Sequence, residues 1–398
     1  MKSLFKLSTL AVSVFAASQV AAIELYNNEG TTVNMSGAIA AQLSSYDYSK
    51  DTVIGTPEAD GGYGYNSDQI LFEDPGSYFG FDIAHDINGT KALAKLEWDV
   101  NFGAHLENDE ALQIRQTYIG FANDTLGQVT IGRQESPYMK TDKGYYAYWV
   151  GGLNMMQSDE LGSRRSPNTV VWQKDFDNLY IGLQYQAARN VDQISFGNGL
   201  NFGSFLIGGS VVGNDIVPNG IDIKNGFGGA ITYTFDFGTY LAAAYNQAND
   251  INGNFIDGLG AGVSMFGSLV DAEVKQYAVA AEHHFMEGAF SLSARYERFD
   301  AKNGETGGFD STTQNLGLGA NMYLFDSIRV YAGYEMAEEE DNRTGNKASE
   351  VTMYNLGAGF APVPWGEIYA ELYNDDVDLK EAGTSKGTHF FLGAAVFF

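Results

Sequence analysis

Strict two-residue alternation of apolar and polar side chains is the feature that most limits how this chain can fold. In "NLYIGLQYQ", Leu179 and Ile181 fall on one face, whereas Tyr180 and Gln184 fall on the other. The same period appears in "FSLSARYE" and in "GEIYAELY". It is the period of a β-strand with one apolar and one polar face. With 24 Tyr, 26 Phe, 48 Gly and only 7 Pro, the composition also favours strands and tight turns, and the pattern predicts an all-β fold.

Counting these alternating segments predicts sixteen strands, an even number. Their approximate bounds are 32–46, 77–87, 90–103, 111–121, 126–134, 166–174, 178–187, 226–236, 239–248, 274–286, 289–299, 312–325, 327–337, 350–361, 365–375 and 387–398. Residues 204–213, "SFLIGGSVVG", also resemble a strand, but we assign them to a long loop because counting them breaks the order of the connections.

The predicted connections alternate between very short and long. The short ones are "DING" (86–89), "DFG" (236–238), "MEG" (286–288), "FDS" (325–327) and "APVP" (361–364), and the long ones lie near 47–76, 135–165, 188–225 and 249–273. An up-and-down meander places all short turns at one end and all long loops at the other. Such a sequence is typical of an outer-membrane barrel.

Physical chemistry favours the same fold. A strand whose apolar face meets lipid needs every backbone N–H and C=O paired, and for a sheet only closure into a barrel achieves this. Sixteen tilted strands enclose more space than side chains fill, so we expect a water-filled lumen. A soluble secreted β-sandwich or lectin also alternates, but it needs neither an even strand count, nor long loops on one side only, nor aromatic residues such as Tyr185, Tyr245, Tyr296 and Tyr334 near strand ends.

The two ends of the chain predict export and membrane insertion. Residues 1–22 combine Lys2 and Lys6 with an eleven-residue apolar stretch and small residues at 20–22, which is typical of a cleaved secretory signal; a retained N-terminal anchor is the alternative. Residues 23–398 then form one barrel domain without cysteine. At the other end lies "FFLGAAVFF" (390–398). Its even-numbered residues form an apolar set that we expect to face lipid, namely Phe390, Leu392, Ala394, Val396 and Phe398.

Three stretches carry a family resemblance: "IELYNNEGTTVNMSG" (23–37), "IRQTYIGFANDTLGQVTIGRQ" (114–134) and the C-terminal strand. With these, the mature chain resembles a general diffusion porin of Gram-negative outer membranes, of the OmpF/OmpC type. The resemblance implies a homotrimer of sixteen-stranded transmembrane antiparallel β-barrels, each with its own pore and an inward-folded third loop. It also implies that Phe398 is the C-terminal signal read by the barrel insertion machinery.

The third loop is the segment from 134 to 164, before the strand that begins near "RSPNTVVW". In the family, basic wall residues oppose loop carboxylates across a constriction, which orients and filters solutes. The match here is partial. On the wall the resemblance and the polar face of the third strand indicate Arg115, Arg164, Arg165, Tyr78 and Lys95. On the loop they indicate Asp142, Tyr145, Tyr148, Trp149, Asp159 and Glu160.

These features predict an integral outer-membrane porin of a Gram-negative bacterium, a passive channel for ions and small hydrophilic solutes without cofactor or turnover. Its net charge of −27 predicts a cation preference and argues against nucleic acid as a partner. Two alternatives stay open: selectivity for oligosaccharides through stacking on Tyr148 and Trp149, and a plugged structural barrel. An enzyme is not expected, because His283 and His284 point to opposite sides of one strand and no nucleophile motif accompanies a histidine. The carboxylates of "AEEED" (337–341) suggest contact with lipopolysaccharide through shared divalent cations.

Overall fold

The computed structural model describes residues 22–49, 70–101, 111–144, 157–191, 194, 220–259, 263–325, 327–380 and 383–398. Within them nineteen strands form one antiparallel sheet. The strands are β1 Ile23–Asn28, β2 Thr31–Tyr48, β3 Ile70–Glu73, β4 Ser77–Ile87, β5 Thr90–Val100, β6 Leu112–Asn123, β7 Gly127–Glu135, β8 Arg165–Phe176, β9 Leu179–Gln186, β10 Arg189–Val191, β11 Ile221–Thr234, β12 Thr239–Leu259, β13 Val263–Phe285, β14 Phe290–Lys302, β15 Asp310–Leu324, β16 Ile328–Asp341, β17 Asn346–Val363, β18 Gly366–Leu379 and β19 Gly383–Phe397. No helix in the described part of the chain is long and apolar enough to cross a membrane.

The sheet closes on itself, because β19 pairs with β2 from Gly387↔Tyr48 to Phe397↔Ala38. Three of the nineteen strands do not add a position to the ring. β3 pairs with β2 beyond the stretch that pairs with β4, so it occupies the same position in the ring as β4. In the same way, β10 pairs with β11 beyond the stretch that pairs with β9. β1 forms a hairpin with the start of β2. The barrel therefore has sixteen strands, and the predicted fold is confirmed.

The two faces of each strand follow the predicted alternation. On β9, Leu183 and Tyr185 are exposed on the outside while Gln184 and Gln186 are buried on the inside. On β19, Leu392 is exposed and Phe391 is buried. The outer surface is consequently a continuous apolar belt, which only a hydrocarbon environment stabilises.

The connections differ at the two ends of the barrel, as the sequence predicts. At one end the turns are tight: Asn88 and Gly89 both adopt a left-handed φ, of 53° and 85°, as a two-residue hairpin turn requires. The predicted long loop at 249–273 is wrong, however. There β12 and β13 remain paired up to Leu259↔Val263. The apolar alternation is lost there because register shifts interrupt the pairing near Ile251, so the periodicity did not reveal the strand extension.

The inner wall is not uniformly polar. Ile221, Ile223 and Ile251, towards the long-loop end, are at most 2% exposed and belong to an apolar cluster on the inside of the barrel. Leu161, from the end of the third loop, packs into the same cluster. The apolar cluster fixes where this loop returns to the wall before β8 begins.

Candidate pore constriction and its charged walls

Residues 136–144, which we call the strap, leave β7 and run along the inner wall. The strap begins with a short 3-10 turn, Pro137–Thr141, in which the Ser136 hydroxyl accepts a hydrogen bond from the Tyr138 amide at 3.2 Å. Tyr138 is completely buried. A loop that starts with a capped turn and a buried tyrosine is held against the protein and is not free in solvent.

Strands far along the chain hold the strap. Tyr138 donates a hydrogen bond to Glu297 of β14, a residue that also pairs with Arg295 at 2.9 Å. Lys143 forms an ion pair of 2.7 Å with Glu282 of β13. The Gly144 amide donates to the Ser293 hydroxyl at 3.1 Å. Because all these partners face inward, the strap lies inside the barrel.

The two strap lysines lie over aromatic rings. The Nζ of Lys140 is 4.8 Å from the centre of the Tyr180 ring, and that of Lys143 is 5.2 Å from the centre of the Tyr240 ring. Tyr240 also donates a hydrogen bond of 2.7 Å to the Lys140 carbonyl. Cation–π contacts of this kind draw both ammonium groups towards the wall.

The far end of the third loop is organised around Asp159. Its carboxylate accepts from Arg133 at 2.7 Å and from Arg164 at 2.9 Å, and it also accepts from the Arg165 amide at 2.9 Å. Burial opposes ionisation of Asp159, but Arg164, Arg165 and Arg133 outweigh it and lower the pKa of this carboxyl below its usual value. Asp159 is therefore a fixed negative charge that joins the loop to β7 and β8.

A second ion-pair network covers the inner face of β4, β5 and β6. Lys95 lies 3.1 Å from Asp82 and 3.3 Å from Glu97. Arg115 lies 2.7 Å from Glu97 and 2.8 Å from Asp99, with its guanidinium 4.7 Å from the centre of the Tyr78 ring. Arg165 extends the network, with a 4.0 Å approach to Asp99.

A β-bulge directs Arg115 into the barrel. The β5–β6 pairing passes from Glu97↔Gln116 to Trp98↔Ile114, so Arg115 has no cross-strand partner on β5 and faces inward beside Gln116, which also bonds to Glu97. A bulge redirects a side chain against the strict alternation. The β7–β8 pairing is also irregular, but there the extra residue lies on β8, between the pairs Gly132↔Thr169 and Gln134↔Ser166.

The structure brings together the wall residues that the sequence indicated, Tyr78, Lys95, Arg115, Arg164 and Arg165, on one inner wall. Of the loop carboxylates, Asp159 meets Arg164. Glu160 instead accepts from Ser158 at 2.9 Å, and its carbonyl accepts from Arg189.

Asp142 lies towards the opposite wall, where its charge acts on Arg295. Tyr145, Tyr148 and Trp149 fall outside the described residues. Sequence reasoning missed Tyr138 and Arg133: strict alternation placed Arg133 with the outward residues, and nothing in the pattern marked Tyr138.

A cavity of about 330 Å³ lies between the strap and the short-turn end of the barrel. Its lining is polar and rich in glutamine and tyrosine, including Gln128, Gln173 and Tyr118. Five carboxylates and two lysines contribute to it, namely Glu135, Asp142, Asp175, Asp177 and Glu282 with Lys140 and Lys143. This cavity is a polar space below the strap that is large enough for water.

The histidines near the short-turn end lie apart from one another. His283 contacts the Thr239 hydroxyl at 2.7 Å on the outer face, and His284 approaches Glu282 at 3.7 Å on the inner face. Among the residues that the structure describes, no three His, Cys, Asp or Glu side chains come together as metal ligands would. The charged groups of the inner face instead pair with one another along the wall.

Comparison with known proteins agrees with this arrangement. The family model described as Gram-negative porin matches residues 8–379. Among characterised relatives, a major outer membrane protein of Pasteurella multocida is 24% identical over 365 residues, which cover 88% of this chain and 87% of the relative. The outer membrane porin PhoE of Escherichia coli is 23% identical over 370 residues, 89% of either chain.

Solved structures share the fold. OmpT, an outer membrane protein of Vibrio cholerae, superposes with a TM-score of 0.67 at 15% identity, covering 95% of this chain and all of that one. An anion-selective porin from Comamonas acidovorans superposes with a TM-score of 0.60, also at 15% identity, covering 92% of this chain and all of that one. At this identity the likeness concerns the architecture of the barrel.

Proposed function

We propose that this chain, which belongs to the Gram-negative porin family, forms an outer-membrane channel that passes small hydrophilic solutes and ions and prefers cations. The single observation that carries this proposal is the closed sixteen-stranded barrel with an apolar outside and charged, hydrogen-bonded inner walls around a cavity. No step of turnover and no cofactor is part of the proposal.

The strap and the arginine wall are the proposed constriction. The strap is held to β13 and β14 by Lys143 and Tyr138, while Arg115 and Arg165 line the wall on β6 and β8. A solute passing between them meets charges of both signs at short range, which favours polar and ionic solutes over apolar ones. The loop residues Tyr145, Tyr148 and Trp149 remain proposed members of this constriction.

We also propose a homotrimer in which the sector β4–β9 is the contact surface. The described strands of this sector have 8 to 12 residues, whereas the strands from β11 to β19 have 13 to 23. On its outside, Phe79 and Trp98 stack with ring centres 5.4 Å apart. A sector with short strands and an aromatic outer surface is suited to contact with another copy, since interfaces are enriched in aromatic residues.

The sector with the longer strands, β11–β19, carries a different outer surface. Above its apolar belt, Lys347 pairs with Glu338 and Glu350, Lys380 with Glu350 and Asp378, and Lys386 with Asp376. We propose that this ladder contacts lipopolysaccharide, because lysines attract its phosphates and the carboxylates share divalent cations with them. The predicted segment at 337–341 is the end of β16 and supplies Glu338 to the ladder.

Export and assembly complete the proposal. Residues 1–22 act as a cleaved signal; 1–21 of them lie outside the described residues. Phe398 is the residue that the insertion machinery reads. It lies where the barrel closes, with its backbone N–H and C=O bonded to Gly37 at 3.0 and 2.7 Å.

Planar bilayer recordings on the purified mature protein under a KCl gradient test the channel. Steady conductance steps in groups of three with a cation-selective reversal potential support the proposal. An absence of conductance contradicts it and favours the plugged barrel. Block by added oligosaccharides shifts the proposal towards a sugar-selective porin, and an anion-selective potential assigns control of the pore to Arg115 and Arg165.

A further inference from the structure

We infer that cation preference is set in the cavity below the strap, by Glu135, Asp175 and Asp177, and not by Asp159, Glu160 or the arginine wall. These three residues are thus selectivity determinants for small hydrated inorganic cations. The inference rests on the proposed channel function and adds to it the position at which the channel discriminates.

The arginine wall is nearly neutral as a whole. Its five cations, Lys95, Arg115, Arg133, Arg164 and Arg165, lie among the four carboxylates Asp82, Glu97, Asp99 and Asp159 at separations of 2.7 to 4.0 Å. Opposite charges this close cancel each other's field over distances of a few ångströms. A passing ion therefore meets a wall with a net charge of only one positive unit.

Two of the loop carboxylates are similarly committed. Asp159 is shared by Arg133 and Arg164, and Glu160 is hydrogen-bonded to Ser158. The negative charge of Asp159 is offset within the protein, so it contributes little to the attraction of mobile cations. Asp142 differs, because it belongs to the lining of the cavity below the strap.

The cavity below the strap differs in this respect. Glu135, Asp175 and Asp177 are all exposed and line it, and none of the three forms an ion pair with another described residue. Of the two lysines in the lining, Lys143 is neutralised by Glu282 at 2.7 Å, and Lys140 lies over the Tyr180 ring. Five carboxylates against two lysines leave the lining with a net charge of −3.

Fixed, unpaired charge beside a narrow path raises the local concentration of counter-ions. The effect depends on screening, because the Debye length falls from about 10 Å at 0.1 M salt to about 3 Å at 1 M. The discrimination between K⁺ and Cl⁻ is therefore expected to be several-fold in dilute KCl and to weaken in molar KCl.

The test is the reversal potential of the full mature protein in planar bilayers, under a KCl gradient centred near 0.1 M. The cavity variant carries Glu135→Gln, Asp175→Asn and Asp177→Asn. A matched control loses the same number of carboxylates on the outer surface through Glu338→Gln, Asp376→Asn and Asp378→Asn. We expect the K⁺/Cl⁻ permeability ratio of the cavity variant to fall to about unity and that of the control to stay at the wild-type value.

A cavity variant that keeps the wild-type ratio overturns the inference, and so does an equal loss in both variants, which would mean that total charge alone matters. If the triple variant does not insert, Asp175→Lys alone serves, because this exposed residue has no ion pair to break; its ratio should shift towards Cl⁻, and an unchanged ratio overturns the inference. Absence of conductance in the wild-type protein contradicts the channel itself and is thereby distinguished from a failure of this inference.

Discussion

Tyr138 and Glu297, which are 159 positions apart in the chain, form a buried hydrogen bond between the start of the third loop and β14. Glu297 also pairs with Arg295, so one buried carboxylate links the strap to a charged group of the wall. Removing one member of such a group leaves a desolvated polar atom behind, which costs more than the bond itself contributes. The position of the strap therefore depends on the contacts that join Tyr138, Glu297 and Arg295.

Replacing Tyr138 by Phe should loosen the strap. The ring still fills its site, but Glu297 loses a donor, and we expect the free energy of unfolding to fall by about 1–3 kcal/mol. Because the strap narrows the proposed channel, single-channel currents should become larger and noisier. Thermal unfolding followed by circular dichroism, together with bilayer recordings, measures both effects.

Tyr354→Phe is the matched control, since Tyr354 is half-exposed on the outer face of β17. It should leave the current unchanged. If Tyr138→Phe gives wild-type current and noise, the strap does not control the width of the path.

Asp159 gives a pH-dependent prediction. Since its pKa is lowered in the folded protein, its contribution to stability is complete above the ordinary aspartate pKa of about 3.9 and is lost as the pH falls through the lower folded value. Asp159→Asn removes the charge at every pH and leaves Arg133 and Arg164 without their shared partner. The variant should be less stable by about 1–3 kcal/mol at neutral pH.

Melting temperatures measured between pH 7 and pH 2 test this. The difference between wild type and Asp159→Asn should be constant down to about pH 4 and then shrink. A difference that persists unchanged at pH 2 would contradict the assigned role of the charge.

The outer belt gives a prediction about lipid. Leu318 is exposed on the outer face near the middle of β15. An arginine there should destabilise the inserted barrel by about 2–4 kcal/mol, whereas Gln173→Arg, which points into the cavity, should be tolerated. Reversible unfolding in phospholipid vesicles measures the two values, and equal effects would mean that the outside of β15 does not meet hydrocarbon.

Phe398→Ala separates two roles of the last residue. The backbone bonds to Gly37 can still form in this variant, so refolding in detergent should be close to that of wild type. Assembly in cells should nevertheless fall if the aromatic ring is read by the insertion machinery. Quantifying heat-modifiable barrel in isolated outer membranes tests this, and normal assembly of the variant would argue against the signal.

Much of the fold could be predicted because alternation is a direct consequence of burial on one side of a strand. β9 shows this clearly, since each predicted face of "NLYIGLQYQ" is correct. The extension of β12 and β13 beyond Ile251 could not be predicted, because the register shifts on either side of Ile251 interrupt the two-residue period. The inner apolar cluster around Ile221 was also missed, because at this end of β11 the alternation is reversed. Ile221 and Ile223 lie inside while Asp222 and Lys224 are exposed outside, the opposite of a strand with a lipid-facing apolar side.

The site was harder to predict because it depends on departures from regularity. Arg115 points inward owing to a bulge that a period-two pattern does not show, and only the family resemblance indicated it. The Tyr138–Glu297 contact joins distant parts of the chain, and a single sequence contains no record of that pairing. Charges such as Glu135 looked ordinary until the structure showed which of their neighbours were already paired.

The seam between β2 and β19 also determines the order in which the protein can be made. Residue 38 pairs with residue 397, and residue 37 with residue 398, so the first barrel strand to be synthesised waits for the last. Until the C-terminus arrives, β2 is an unpaired edge that invites aggregation. Contacts between such distant positions are slow to form. The barrel therefore closes only after β19 has been made, and until then the open edge of β2 has to be kept from aggregating.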